Sequence, residues 1–123
     1  MHSRRIKNNW HIIKGQPLTE LDKKVLYYQN KGHLVPPRKL IKTAEQIEGI
    51  RRSSVVNTGV LDLVAREIKA GMSTAEIDKL VYDYTVSHGA IPAPLNYEGF
   101  PKSVCTSVNE VVCHGIPDRK SVV

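Results

Sequence analysis

The sequence lacks several features that mark other classes of protein. It has no run of about 18 or more apolar residues, which excludes a transmembrane helix. Residues 1–10 lack the apolar core that a signal peptide needs. The chain has only two cysteines, and without an export signal these predict a reduced, cytoplasmic protein. It also contains no HExxH motif and no paired-carboxylate pattern, so no local motif indicates a metal site. The sequence has no internal repeat.

Positive charge is concentrated in the first part of the chain. Residues 1–50 hold ten Lys and Arg against four Asp and Glu, whereas residues 51–123 hold eight of each, so the first part carries the whole net charge of +6. Such a basic arm is suited to contact an acidic surface such as ribosomal RNA. The alternative is a solvated tail, because the charges are scattered along the segment.

Residues 1–41 and 42–123 differ in pattern and predict two regions. The first has no sustained hydrophobic period, although a short helix is expected at Leu18–Gln29, started by Thr19. Pro36-Pro37 then predicts an extended tether, or a short ligand for a partner protein. We therefore expect a basic N-terminal extension with a Pro-containing tether, followed by a folded region.

Two capping boxes predict two helices in the folded region. The first helix begins at Thr43-Ala44-Glu45-Gln46 and ends at Gly71, and the second begins at Ser73-Thr74-Ala75-Glu76 and ends at Gly89. Apolar residues recur at helical spacing in both. The stripe on the first helix comprises Ile47, Ile50, Ser54, Leu61, Val64 and Ile68, widened by Val56, Val60 and Leu63.

The segment after a Pro- and Gly-rich loop predicts a β-hairpin. Ser103–Val108 and Val111–Gly115 are short β-rich runs separated by Asn109-Glu110, a plausible two-residue turn. With that turn, Val108 pairs with Val111, Ser107 with Val112, Thr106 with Cys113 and Cys105 with His114. Cross-strand partners share a face, so Cys105 and His114 are expected side by side and Cys113 on the opposite face.

This geometry leaves three interpretations of His114. It is a core histidine satisfied by a neighbour, one half of a Cys–His nucleophilic pair with Cys105, or a hydrogen-bond donor in a binding pocket. The nucleophilic pair lacks candidates for an orienting group and an oxyanion hole. In a binding pocket, Tyr97 and Phe100 of the preceding loop would line the same concavity, and Cys105 would be a small apolar wall.

The stretch from Pro94-Leu95-Asn96-Tyr97 through Cys113-His114-Gly115-Ile116-Pro117 closely resembles the signature of type I methionine aminopeptidases. The resemblance runs from about Lys42 to Asp118 and includes the connection Gly71-Met72-Ser73-Thr74. It implies an α/β (α+β) fold, the N-terminal half of a pita-bread (creatinase/aminopeptidase) fold. The chain would contribute two helices and an antiparallel β-hairpin, and would be incomplete.

The same resemblance implies roles for individual residues. His114 would contact the substrate near its scissile amide as a catalytic residue. The methionine side-chain pocket would be lined by Pro94, Tyr97, Phe100 and Cys105. A monovalent cation would be held through the backbone carbonyls of Asn109 and Val111.

The family's chemistry depends on two divalent metal ions (Co, Mn, Fe or Zn) held by two Asp, one His and two Glu. By resemblance all five ligands lie beyond Val123, so none is expected within this chain. We therefore expect a truncated chain that is inactive alone, weakly folded or self-associating through its exposed half-domain surface. The expected partners are N-terminal methionyl peptides or nascent chains, with ribosome contact through the basic extension. The alternatives are a non-catalytic peptide-binding module and an RNA-contacting accessory protein.

Overall fold

The computed structural model describes residues 10–123 and divides the chain into two compact units, one ending at Ile47 and the other formed by Glu48–Val123. Most of the regular structure is α-helical. The helices are α1 (Glu20–Asn30), α2 (Ala44–Glu67) and α3 (Thr74–Ser87), with short 3₁₀ turns at Arg38–Leu40 and Tyr97–Gly99. Most of the basic residues at the extreme N-terminus lie outside the described residues.

The first unit is organised around the carboxylate of Asp22. Thr19 caps α1 as predicted: its hydroxyl accepts from the Asp22 N–H at 3.1 Å, and its own N–H donates to Asp22 Oδ2 at 2.9 Å. Trp10 Nε1 donates to Asp22 Oδ1 at 3.0 Å. The hydrogen bonds from Thr19, then that from Trp10 and the charge of Arg38, lower the pKa of Asp22 to about 2.

Arg38 follows the extended Pro37 and is held by contacts within the first unit. Pro37 is extended, but Arg38 begins a 3₁₀ turn, forms an ion pair with the buried Asp22 and donates from Nε to the His11 carbonyl at 2.9 Å. Its guanidinium lies 4.4 Å from the centroid of the Trp10 ring. The segment is docked because a buried carboxylate requires a cationic or hydrogen-bonding partner.

The core of the second unit lies between α2 and α3. Val60 of α2 and Ile77 and Val81 of α3 are buried, and partly buried apolar side chains pack against them: Val64, Met72, Tyr84 and Val104. Both predicted capping boxes are present, since Gln46 N–H donates to Thr43 Oγ1 at 3.2 Å and Ser73 caps α3. Helix α2 ends at Glu67, four residues before the predicted end at Gly71.

The predicted apolar stripe of α2 is only partly buried. Ile47, Ile50, Leu61 and Ile68 are exposed, with exposed fractions between 41% and 64%. Within the second unit, α3 and the side chains packed with it cover only the side of α2 around Val60.

The last residues of the chain are fastened to the start of α3. Val123 N–H donates to the Met72 carbonyl at 3.0 Å, and Thr74 N–H donates to the Ser121 carbonyl at 2.9 Å. The buried Thr74 hydroxyl accepts from Asp118 N–H at 2.9 Å. Hydrogen bonds from the backbone N–H groups of Ser121 and Lys120 lower the pKa of the Asp118 carboxyl.

The predicted hairpin is not confirmed as a ladder of strands. Within residues 10–123 the structure contains no strand, only an isolated antiparallel bridge between Ser73 and Val122. The turn at Asn109-Glu110 is present, with Val111 N–H donating to the Val108 carbonyl at 3.2 Å.

The pairing beyond that turn differs from the prediction by two residues. Thr106 N–H donates to the Gly115 carbonyl at 2.9 Å, where pairing with Cys113 was predicted. The positive φ of 54° at His114 bends the returning segment and interrupts regular pairing.

Candidate functional site

The candidate site is built on the loop that follows α3. Within it, Asn96 adopts a left-handed conformation with a φ of 63°, which an asparagine tolerates well, and its N–H donates to the Phe100 carbonyl at 2.8 Å. Tyr97 N–H donates to the Pro94 carbonyl at 3.1 Å. These short-range bonds close a compact turn that holds Pro94, Tyr97 and Phe100 near one another.

Asp78 of α3 anchors the end of this loop to the core. Its Oδ1 accepts from the backbone N–H of the buried Ser103 at 2.7 Å, and Lys102 Nζ lies 3.8 Å from Oδ2. Val104 then packs against the core of α2 and α3. The loop is therefore held at a fixed distance from the helices, which positions the side chains of its outer face.

A close approach at Gly115 brings the returning segment against the loop. A Cβ on Gly115 would lie 2.0 Å from the Thr106 carbonyl oxygen, so only glycine fits here. Gly115 N–H also donates to the Ser107 hydroxyl at 3.2 Å. These contacts place the neighbours of Thr106 and Gly115 in sequence, Cys105 and His114, at the same cavity.

The loop and the returning segment enclose a pocket of about 680 Å³. All five side chains predicted to form the site line it: Pro94, Tyr97, Phe100, Cys105 and His114. The volume falls within the range of roughly 300–1,000 Å³ that is usual for small-molecule sites. Residues that are far apart in sequence are thus brought together around one concavity of mainly apolar character.

The surroundings of His114 distinguish among the three interpretations made from the sequence. Its side chain is exposed, so the interpretation as a core histidine is wrong. Within residues 10–123 no hydrogen bond joins its ring to Cys105, and both cysteines are free thiols. The structure therefore gives no support to a Cys–His nucleophilic pair and leaves His114 available to a ligand in the pocket.

The sequence reasoning did not assign every residue that lines the pocket. The further lining residues are Ala93, Glu98, Gly99, Pro101 and Ile116. Ile116 is the residue after Gly115, whose carbonyl accepts from Thr106 N–H. Glu98 lies next to Tyr97 in the loop, and no chemical pattern in the sequence singles it out.

The described residues do not form a metal centre. Across residues 10–123 no group of three or more His, Cys, Asp or Glu side chains is close enough to hold a metal ion. At the pocket, the side chains of these types are Glu98, Cys105 and His114, and they do not form such a group. The donor set in this part of the chain therefore does not fit a two-metal site.

None of the helices formed by residues 10–123 combines the length and apolar character that a membrane span requires.

The fold and pocket agree with what comparison with known proteins shows. The model of metallopeptidase family M24 matches residues 48–123, which is more than half of the chain. This chain therefore belongs to metallopeptidase family M24.

Within that family the similarity is to methionine aminopeptidases. The chain is 52% identical over 82 residues to methionine aminopeptidase 1A of Arabidopsis thaliana, covering 67% of this chain and 21% of the relative. It is 50% identical over 80 residues to the human mitochondrial methionine aminopeptidase 1D, covering 65% of this chain and 24% of the relative.

A solved structure shows the same similarity in three dimensions. The crystal structure of methionine aminopeptidase from Rickettsia prowazekii matches with a TM-score of 0.55 and 42% identity, covering 64% of this chain and 33% of that one. The chain spans about a fifth to a quarter of the length of the two curated relatives and a third of the solved one.

Proposed function

We propose that this chain serves the removal of the N-terminal initiator methionine from nascent proteins by metal-dependent hydrolysis. Its own contribution is the pocket that holds the methionine side chain. The observation that carries the proposal is the convergence of Pro94, Tyr97, Phe100, Cys105 and His114 on one cavity. The methionine aminopeptidases to which the chain is similar support the assignment of the substrate.

The chemistry of the pocket suits an unbranched thioether. Phe100 and Tyr97 supply aromatic surface, and sulfur makes favourable contacts with aromatic rings. The Cys105 thiol adds a small, polarisable wall, and Pro94 adds a rigid apolar one. A flexible, apolar side chain such as that of methionine fills an irregular cavity of this kind well.

His114 is the side chain proposed to act on the peptide itself. Its ring is exposed at the pocket wall, where a ring N–H can donate to the carbonyl of a bound methionyl amide. A donor placed there stabilises the negative charge that develops on this oxygen during hydrolysis. The positive φ of His114 fixes where the side chain leaves the backbone.

The family implies divalent metal ions, which would supply the activated water. The described residues do not provide the ligands, so no step through the metals is assigned to them. What this part of the chain does is bind the methionine side chain, exclude water from it and present a hydrogen-bond donor.

A second candidate function is a non-catalytic module that binds peptide N-termini. The observation that favours it is the absence of a three-residue metal-ligating group in residues 10–123 beside a complete side-chain pocket. It predicts binding of methionyl peptides without added metal and without release of methionine.

One experiment tests the pocket and then the two functions. The chain is titrated with methionyl-alanine amide by calorimetry, and free methionine is assayed with each divalent metal, with and without the metal-ligand half of a methionine aminopeptidase added. Binding supports the pocket under both functions, and metal-dependent release of methionine supports the aminopeptidase function. Since residues 10–123 lack a metal-ligating group, binding favours the peptide-binding module only if the added half also fails to restore release. Absence of both refutes the pocket assignment.

A matched pair of variants tests the pocket itself. Phe100→Ala removes an aromatic wall and should weaken peptide binding about tenfold or more, since fully burying such a side chain is worth roughly 1.5–3 kcal/mol. Val112→Ala is the control, because Val112 is 94% exposed and does not line the pocket. Equal losses in both variants would contradict the assignment.

The remaining expectations from the sequence are proposals of the same kind. The basic residues 1–41 are proposed to contact ribosomal RNA, supported by their charge, and unchanged ribosome co-sedimentation after their deletion would refute this.

The backbone of Asn109 and Val111 is proposed to hold a monovalent cation, which a potassium-dependent change in the amide spectra of this turn would test. Self-association is proposed through the exposed half-domain surface, and a monomer by sedimentation at high concentration would refute it.

A further inference from the structure

The first unit carries an apolar groove lined by residues other than those of the pocket. The groove has a volume of about 410 Å³ and lies between one face of α1 and the segment that follows the helix. Its lining residues on α1 recur at the spacing of a single helical face, and those of the following segment are consecutive: Leu21, Lys24, Val25, Tyr28, His33, Leu34, Val35 and Pro36. At 1.5 Å per residue the helical wall is about 10 Å long, enough for side chains one or two helical turns apart.

The walls of this groove are open and mainly aliphatic. Leu34 is 81% exposed, and Leu21 and Tyr28 are exposed on the helical wall. The Tyr28 ring makes edge contacts with Tyr27 and His33, with ring centroids 5.3 Å and 5.6 Å apart. Nucleobases bind proteins by stacking on open aromatic faces, whereas aliphatic walls favour aliphatic side chains. The groove therefore suits a segment of protein better than a single-stranded nucleic acid.

The lysines beside the groove are positive charges without an ionic partner. Lys24 lies on the wall, where a long side chain can keep its stem against apolar surface and its ammonium in water. Lys31 Nζ lies 4.4 Å from the centroid of the Tyr27 ring, which contacts that of Tyr28. Within residues 10–123 neither lysine forms an ion pair, so both charges are available to an incoming group.

The acidic groups of α1 do not neutralise these lysines, because each has another partner. Glu20 pairs with Lys23 at 2.6 Å, and Asp22 pairs with Arg38. Among the described residues that line the groove there is no Asp or Glu. An occupant that brings aliphatic side chains and negative charge would therefore complement both features of the groove.

The charge of the chain itself narrows the choice of occupant. Residues 1–9 contain three Lys and Arg and no Asp or Glu, and residues 10–47 hold seven against three. Residues 48–123 hold eight against nine and are nearly neutral. Neither the start of the chain nor the whole of a second copy carries net negative charge, so charge complementarity points to a different protein.

We propose that this groove docks an acidic segment of a partner protein, with its aliphatic side chains entering between α1 and Leu34 and its carboxylates at Lys24 and Lys31. This site goes beyond the pocket of the second unit and rests on contacts within residues 10–47 alone. Apolar anchors in a groove are a common way to bind peptide segments. The aliphatic contacts would supply affinity, and the lysines would supply the preference for an acidic partner.

The test titrates the full chain with three short labelled peptides by fluorescence anisotropy. The first alternates Glu-Glu and Leu-Leu pairs, the second has Lys-Lys in place of Glu-Glu, and the third has Ser-Ser in place of Leu-Leu. The first peptide should bind at least about tenfold more tightly than either of the others, because only it complements both the charge and the apolar walls. Added salt should reduce its advantage over the second peptide.

Two substitutions at exposed side chains test the groove itself. Leu34→Ser should weaken binding of the acidic leucine peptide about tenfold or more, and Lys24→Glu about three- to tenfold. Leu40→Ser and Lys14→Glu are the matched controls, since both side chains are exposed in the same unit and line no part of the groove. They should change the affinity less than about twofold. Fluorescence of the buried Trp10 checks that the unit stays folded in each variant.

The contrary outcomes identify what else could occupy the groove. Absence of saturable binding of the acidic leucine peptide, or equal losses in the test variants and their controls, overturns the proposal. Displacement of that peptide by polyuridine would show an RNA site and would also overturn it. Concentration-dependent dimerisation that is lost in Leu34→Ser would show that a second copy covers the groove, with the same consequence. None of these results bears on the pocket of the second unit, so failure here leaves the proposed function intact.

Discussion

Replacing Gly115 by alanine is the perturbation that most directly tests how the pocket is held together. The added Cβ would lie 2.0 Å from the Thr106 carbonyl oxygen and 2.7 Å from its carbon. Since Cβ contacts under 3.0 Å are essentially never seen, the two segments must separate by at least 1.0 Å, the difference between 3.0 and 2.0. Such a displacement breaks the 2.9 Å hydrogen bond from Thr106 N–H to the Gly115 carbonyl.

The magnitude follows from two contributions. The lost hydrogen bond is worth about 0.5–1.5 kcal/mol, and overpacking adds about 1–3 kcal/mol, so the free energy of unfolding should fall by about 1.5–4.5 kcal/mol. The same separation moves Cys105 and His114 apart at the pocket wall. Binding of a methionyl peptide should therefore weaken as well, beyond the loss of folded protein.

Urea unfolding followed by far-ultraviolet circular dichroism measures the first effect, and peptide titration at a temperature where both proteins are folded measures the second. Gly49→Ala is the matched control. A Cβ there would meet nothing closer than an Arg52 side-chain nitrogen at 3.9 Å, and inside α2 alanine should be neutral or stabilise by up to about 1 kcal/mol. An unfolding midpoint for Gly115→Ala equal to that of the wild type would refute the close approach.

Three more predictions follow from the described contacts. Ile77→Ala should lower the free energy of unfolding by about 2–5 kcal/mol, because Ile77 is buried. The control Ile91→Ala, at a side chain that is 83% exposed, should change it by less than about 0.5 kcal/mol. Similar urea midpoints for the two variants would contradict the proposed core. Because the pKa of Asp22 is lowered, its carboxylate stabilises the fold above its ordinary pKa of 3.8, and this contribution is lost as the pH falls to about 2. The fluorescence of Trp10 should report a transition between these pH values. Asp22→Asn should abolish that transition. Asp118→Ala should accelerate hydrogen exchange of the backbone amides that follow it, and unchanged rates would show that its carboxylate does not hold that turn.

The side chains of the pocket were predictable because they belong to short, specific segments. Tyr97 and Phe100 lie in one loop closed by its own hydrogen bonds, and Cys105 and His114 flank the two residues whose backbones meet. Glu98 was not predicted, since a positive φ at a glutamate leaves no trace in composition or periodicity.

The sequence predicted where the helices begin better than which of their side chains are buried. Thr43 and Ser73 begin helices in the structure as expected, because capping is a local interaction between residues three positions apart. The stripe of α2 shows the opposite case. Periodicity states which side chains share a face, but only the arrangement of neighbouring segments decides which part of that face is covered.

The sequence by itself determined where the helices begin, the turn at Asn109-Glu110 and the resemblance to the methionine aminopeptidases. Each depends on residues close together in the chain or on a continuous motif. The tertiary structure alone decided the two-residue offset at Gly115, the docking of Arg38 on Asp22 and the place of Glu98 in the pocket. These depend on contacts between segments distant in sequence, where steric fit and the need to pair a buried charge select one arrangement from several that the local pattern allows.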